Sequence, residues 1–190
     1  MKLYLHVDRS ERLKTGDAIQ KEPYFDESLW QSMAFVEPGF ADHIRRLCRD
    51  GLSLHGAHYL IRLFGEMHVP SLLLELHFEF VRHRSFPELP SRFQSFFAFR
   101  EYESALAFAR SKGGGGKIFE IAADKCFMGD MNLLKCDLDA ANMERNAVGY
   151  WESRRMSSDP EYKPAWECLV DLPVEIGREA LVNPLDIEFA

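Results

Sequence analysis

The sequence predicts an α+β domain, and three observations carry that prediction. Strand-period alternation marks both ends of the chain, at Leu3–Asp8 and again at Trp166–Val170 and Val174–Ile176. Helix-period apolar stripes fill the stretch from Asp42 to Arg84. Between them, residues 96–121 read as strand, alanine-rich helix, glycine turn and strand. At 190 residues the chain suits one domain, 1–190, with a helical insertion at about 42–84.

Taken in order, Leu3, Leu5 and Val7 alternate with Tyr4, His6 and Asp8, the pattern of a half-buried strand with its polar set on one face. Arg9 to Asp17 reads as a short helical turn ending at Gly16, and Ile19 opens another extended piece. Residues 21–40, with Pro23, Pro38 and Gly39 among Tyr24, Phe25, Trp30 and Phe35, read as an ordered loop over a cleft. Ile44, Leu47 and Cys48 form one helical stripe that Gly51 ends; Leu52–Phe64 is a second helix, and a third runs from Ser71 through Val81.

Phe86-Pro87-Glu88-Leu89-Pro90 must turn, because proline lacks the amide donor and restricts the residue before it. Ser91–Phe99 is then a strand by its aromatic content, and Tyr102–Lys112 a helix burying Ala105, Leu106 and Ala109. Gly113–Gly116 is a joint before the strand Lys117–Ile121. Ala123–Leu134 reads as loop, Leu138–Gly149 as a helix, and Arg154–Lys163 as an exposed polar connection.

Composition excludes some functions. Forty-six per cent hydrophobic and 28% charged residues describe a soluble globular protein, and 15 Phe predict an aromatic core. A net charge of -7 disfavours affinity built on broad phosphate contact. Cys48, Cys126, Cys136 and Cys168 show no CxxC spacing, so reduced thiols and a cytoplasmic setting are expected. The opening Met1–His6 carries neither a signal-peptide pattern nor a membrane span.

The residue that stands out is Glu167. It is a lone carboxylate in Trp166-Glu167-Cys168-Leu169-Val170, where alternation puts Glu167 with Leu169 opposite Trp166, Cys168 and Val170. Such a side chain is solvated through a cleft, paired, or used. His6 with Asp8 is a second candidate, read either as a structural strand histidine or as a ligand-facing pair. Ser91 and Arg92 after the proline turn are a third, as a helix cap or a phosphate fork.

Other motifs carry less. Gly113–Lys117 follows a helix and precedes a strand, with Ile118 where a phosphate loop has Ser or Thr. His55 and His58 share a helix face without a completing Cys or carboxylate pair, so no metal site is expected. Ser95 and Cys126 lack the Gly-x-Ser-x-Gly turn of a hydrolase nucleophile.

Put in order, these stretches resemble ADP-ribosyltransferases. Leu5-His6-Val7-Asp8-Arg9, followed by Leu13, Gly16-Asp17 and Ile19, is similar to the start of small bacterial members. Phe96–Ile121 with Gly129-Asp130-Met131-Asn132-Leu133 resembles the rifampin ADP-ribosyltransferases, and Trp166–Val170 with Pro173-Val174-Glu175-Ile176 resembles the glutamate strand of DNA-modifying toxins. The Ser-Thr-Ser and Glu-x-Glu signatures are absent, and Asp42–Arg84 has no counterpart in the family pattern.

The resemblance implies a split antiparallel β-sandwich that holds NAD, as substrate, between two sheets. His6 and Asp8 would face the cofactor's ribose or adenosine part; Arg92, with Ser91 and Ser95, its pyrophosphate or nicotinamide ribose, where a guanidinium fork suits phosphate oxygens. Glu167 would stabilise the positive charge that builds on the ribose as nicotinamide leaves. Asp130, with Asn132 beside it, is the alternative catalytic carboxylate. Tyr102, Tyr150 and Trp151 are candidates to stack on a ring. Protein, nucleic acid and small molecule remain as acceptors, with no membrane partner. A binding module without turnover and an NAD glycohydrolase are the other readings. The resemblance further implies that His6, Arg92 and Glu167 share one cleft.

Overall fold

The fold follows from how the seven antiparallel strands found among the described residues divide between two sheets. A computed structural model of the chain describes residues 1–22, 40–60, 69–111 and 116–180. Strands β1 (Lys2–Asp8), β2 (Ala18–Ile19), β4 (Lys117–Ala123) and β7 (Val174–Glu179) form one sheet in the order β1-β4-β7-β2. Strands β3 (Ser95–Ala98), β5 (Cys126–Asp130) and β6 (Trp166–Asp171) form the other, in the order β3-β6-β5. Helices α1 (Phe40–Leu47), α2 (Leu54–Leu60) and α3 (Val69–Ser85) lie between β2 and β3 in sequence; α4 (Tyr102–Arg110) follows β3, and α5 (Ala140–Trp151) follows β5 and a 3-10 turn at Met131–Leu133. The α+β class is thus observed, as helices beside two antiparallel sheets.

Alternation decides what each strand buries. Tyr4, Phe119, Ile121 and Ile176 from the larger sheet meet Phe96, Ala98, Cys168 and Val170 from the smaller in one core between the sheets. The opposite face of the smaller sheet, marked by Leu169, packs under α3 and α5 through Leu74, Phe78, Val81, Ala147, Tyr150 and Trp151. Trp151 Nε1 donates to Phe78 O at 2.8 Å and ties those two helices together. Helix α4 covers the outer side of the larger sheet, where Ala105 and Ala109 meet Val7 and Ile118. The two sheets also touch at an edge, through the pair Leu5 and Phe99.

Several sequence readings are corrected. Residues 9–17 form turns instead of a helical turn: Glu11 takes a positive φ of 52°, and the Asp8 carboxylate takes the Leu13 amide that a helix would have used. The Ala123–Leu134 stretch contains strand β5: Gly129 obscures its strand character, and its partner β6 is remote in sequence. Residues 91–94 are a turn, with β3 starting at Ser95. The last strand continues past Ile176 to Glu179. The loop reading for residues 21–40 falls, from 23 to 39, outside the described residues, as do 61–64 of the second helix, 113–115 of the glycine joint, and the tail from 181.

Gly51, after α1, holds φ at +96° where a Cβ would meet Glu22 O at 2.5 Å, so only glycine lets the Glu22–Leu52 bridge form. At the far end of the insertion, Arg82 binds the Pro87 and Leu89 carbonyls and pins the proline turn that leads to Arg92.

Candidate functional site

Glu167 lies in the middle strand of the smaller sheet, on the face that α3 and α5 cover, and is 4% exposed. Burial there forces the carboxylate to find donors, and two converge on it. Arg92 Nη1 binds Glu167 Oε1, and Tyr150 OH donates to the same oxygen at 2.6 Å. Among the described residues no donor reaches Oε2.

Arg92 is 3% exposed and almost fully engaged. Its Nε and Nη2 form a two-point pair with Glu75 Oε2 and Oε1 at 2.8 and 2.9 Å, and Nη1 also donates to Tyr150 OH at 2.6 Å. Its plane lies near the rings of Phe97 and Tyr150, with centroids at 5.0 and 5.3 Å. His55 on α2 stacks on Phe97 and places Nε2 3.2 Å from Glu75 Oε2 without forming a hydrogen bond.

The charges follow from this packing. Burial opposes the Arg92 charge, but Glu167 and Glu75 together raise its pKa well above the usual arginine value. Burial likewise opposes the Glu75 charge, yet Arg92 and the nearby His55 hold its carboxyl far below the ordinary carboxylate range. Burial lifts the Tyr150 phenol well above its normal value, Glu167 adds to the rise, and Arg92 only partly offsets it. Tyr150 therefore stays protonated and is the donor in its bond to Glu167.

The turn that presents Arg92 is braced by its serines. Ser91 Oγ accepts from Phe93 N at 3.1 Å, and Ser95 Oγ donates to Ser91 O at 2.7 Å. Both are buried, so their role here is to hold the turn.

His6 lies elsewhere. It stacks on Phe96 with centroids 4.1 Å apart, in the space between the sheets, whereas Phe97 next along β3 faces the helices and Arg92. The single cleft expected for His6, Arg92 and Glu167 is therefore corrected: strand alternation puts His6 on one face of the smaller sheet and the Arg92–Glu167 pair on the other. His6 Nδ1 sits 2.7 Å from Phe97 O, which fixes Nδ1 as the protonated nitrogen because a carbonyl only accepts. Burial lowers the His6 pKa, against the raising effects of that bond and of Asp8, so the ring is neutral at pH 7 and Nε2 is an acceptor. Asp8, expected at the ligand, instead accepts from Ser10 N, Ser10 Oγ and Leu13 N and organises the turn after β1. Burial opposes the Asp8 charge, but those bonds bring its pKa below the ordinary value.

Asp130 is fully buried at the end of β5, and four donors fill its two oxygens. Asn132 N and Ala165 N bind Oδ1; Met156 N and Tyr162 OH bind Oδ2, all between 2.6 and 3.1 Å. Asn132 Nδ2 completes the cluster by donating to Tyr162 OH and Lys163 O. Asp130 and Asn132 thus fasten the 153–165 connection against the strand ends, and the catalytic-carboxylate reading of Asp130 finds no open oxygen. Tyr102, at the start of α4, packs with Val7 and Phe99 away from the Glu167 network, and Trp151 is a core residue bonded to α3.

Sequence reasoning missed Glu75 and set aside His55. The signal for Glu75 was the one used for Glu167, a single carboxylate inside an apolar run, here Leu72-Leu73-Leu74-Glu75-Leu76. Among the described residues no group of three or more His, Cys, Asp or Glu is placed to hold a metal, and no helix is long and apolar enough to cross a membrane.

The DUF2441 family model, described as a protein of unknown function, matches residues 4–181, and the chain belongs to that family. No curated protein matches the chain.

Proposed function

We propose that this DUF2441 chain is a mono-ADP-ribosyltransferase that takes NAD as substrate, with Glu167 as its catalytic carboxylate. The observation that carries the reading is the arrangement at Glu167: Arg92 and Tyr150 both bind Oε1, which fixes the carboxylate, and no donor among the described residues binds Oε2, the oxygen this reading gives to a ligand hydroxyl. A carboxylate so held suits a reaction in which positive charge develops on a ribose, since it needs no reorganisation as the charge forms.

In that reaction the bond from ribose C1′ to the nicotinamide nitrogen breaks, and nicotinamide leaves with the bonding pair. Glu167 Oε2 accepts a ribose hydroxyl and stabilises the cationic ribose. The acceptor's nucleophile then bonds to C1′, and its proton passes to Glu167 or to water. Two antiparallel sheets packed face to face and joined at one edge, at Leu5 and Phe99, agree with the split sandwich that the sequence resemblance implies. The neutral His6, with Nδ1 committed and Nε2 an acceptor, suits the hydroxyl of a second ribose. Because His6 and Glu167 face opposite sides of the smaller sheet, the reading asks the dinucleotide to pass around the β3 edge.

The test is release of nicotinamide from NAD, followed by chromatography, with labelled NAD offered to separate pools of protein, DNA, RNA and small molecules. Release is expected, and Glu167→Gln should lower it by about 100-fold or more, the scale of losing a group that acts in the transition state. The labelled pool names the acceptor, and free ADP-ribose alone would identify an NAD glycohydrolase. The low exposure of Glu167 favours a second reading, a folded module without turnover. The absence of both nicotinamide release and a thermal shift at millimolar NAD would support that module and end the proposal.

A further inference from the structure

Arg92 is shared unequally between two carboxylates, and the inequality has a chemical consequence. Glu75 takes two of its nitrogens, in the parallel geometry that gives a guanidinium its strongest pairing, while Glu167 receives one contact through Nη1. A guanidinium without Glu75 would turn its fork onto the remaining buried carboxylate and occupy both Glu167 oxygens. The partner that prevents this comes from α3, in the helical insertion.

We propose that Glu75 is a positioning residue: by holding Arg92 from the helical side, it limits the guanidinium to Glu167 Oε1 and keeps Oε2 available to a ligand hydroxyl. The inference rests on the proposed role of Glu167 and adds the reason that its site needs the insertion. The Glu75 carboxylate also balances the Arg92 charge, so Glu167 keeps more of its own negative field. Among the described residues, the other titratable groups around the pair are His55 and Tyr59 from α2, Tyr150 from α5, and Cys168, the next residue in β6. Of these only Tyr150 bonds to both Arg92 and Glu167, and its phenol stays protonated. Glu75 is therefore the carboxylate that competes with Glu167 for Arg92.

Glu75→Gln tests this, because the amide keeps the shape and removes the competing charge. Arg92 is then free to turn its fork onto both Glu167 oxygens. A crystal structure of full-length E75Q reads this directly: Arg92 bound to both Oε1 and Oε2 is expected. The kcat for nicotinamide release should fall by about 10-fold or more, because a carboxylate occupied at both oxygens loses the contact it makes in the transition state. A purely structural Glu75 would change the melting temperature and leave Arg92 on Oε1 alone, and that result overturns the proposal. If E75Q does not fold, Glu75→Met, which also removes the competing charge, is read in the same way. A wild-type protein that releases no nicotinamide removes the proposed activity, while the E75Q structure still decides the role of Glu75. Nicotinamide release by E75Q at the wild-type rate removes the inference alone.

Discussion

Replacing Arg92 with methionine asks how much of the fold depends on one buried cation. The variant keeps an apolar stem but leaves Glu75 and Glu167, with side chains 7% and 6% exposed, facing each other without the guanidinium, and with His55 near Glu75 alone. At pH 7 at least one carboxyl must then protonate. Starting from an ordinary value of 4.5, that spans two and a half pH units and costs about 3.5 kcal/mol. Breaking a buried pair from one side commonly costs about 3–5 kcal/mol, so the two estimates agree.

The pH dependence has a definite sign. In the wild type, Glu75 has a depressed pKa, so its contribution is present above about pH 4.5 and is lost as pH falls toward the folded value. In the variant the carboxyls are buried without the guanidinium and their pKa values rise, so its stability is lost as pH rises. The gap between the two proteins should shrink from about 3.5 kcal/mol at pH 7 to under about 1 kcal/mol at pH 4.5. Urea unfolding at both pH values measures it, and Glu75→Gln in the Arg92→Met background should restore part of the loss at pH 7. A gap below about 1.5 kcal/mol at pH 7, or one that does not change with pH, would refute the charge argument.

Two further substitutions separate architecture from chemistry. Asp130→Asn offers one acceptor oxygen to four donors and turns an NH₂ group toward two of them, so a loss of about 2–3 kcal/mol is expected, together with faster proteolysis in 153–165. A variant of wild-type stability that releases no nicotinamide would return Asp130 to the catalytic role. Gly129→Ala puts a Cβ 2.1 Å from Tyr150 Cε2, in a ring packed between Phe78 and Phe127, so overpacking should cost about 1–3 kcal/mol and draw the phenol off Glu167. Melting curves and nicotinamide release should fall together; a wild-type melting profile would show that the ring can move freely.

How much was legible in the sequence depends on the range of the interaction. The alternation in Leu3–Asp8 and Trp166–Val170 is local, so the strands, and the opposition of Glu167 and Leu169 to Cys168 and Val170, could be read directly and are found. Strand β5 could not, because Gly129 is explained only by the Tyr150 ring packed against it, and its partner strand lies some forty residues on. Asp8 and Asp130 looked like ligand groups because a carboxylate's type says nothing of who satisfies it; their donors come from backbone amides and tyrosines that only the folded chain assembles.

The same holds for the Glu167 site. The sequence by itself determined that a strand at 166–170 would carry one carboxylate among apolar residues, that an arginine would follow a proline-bounded turn, and that the molecule would be α+β. Tertiary structure alone decided that Glu167 faces the helices and His6 the space between the sheets, and that Glu75, ninety-two residues before Glu167, shares its arginine. The reason is physical. Alternation fixes which side of a strand a residue takes, whereas a buried charge is satisfied by whichever partner packing brings within hydrogen-bond reach.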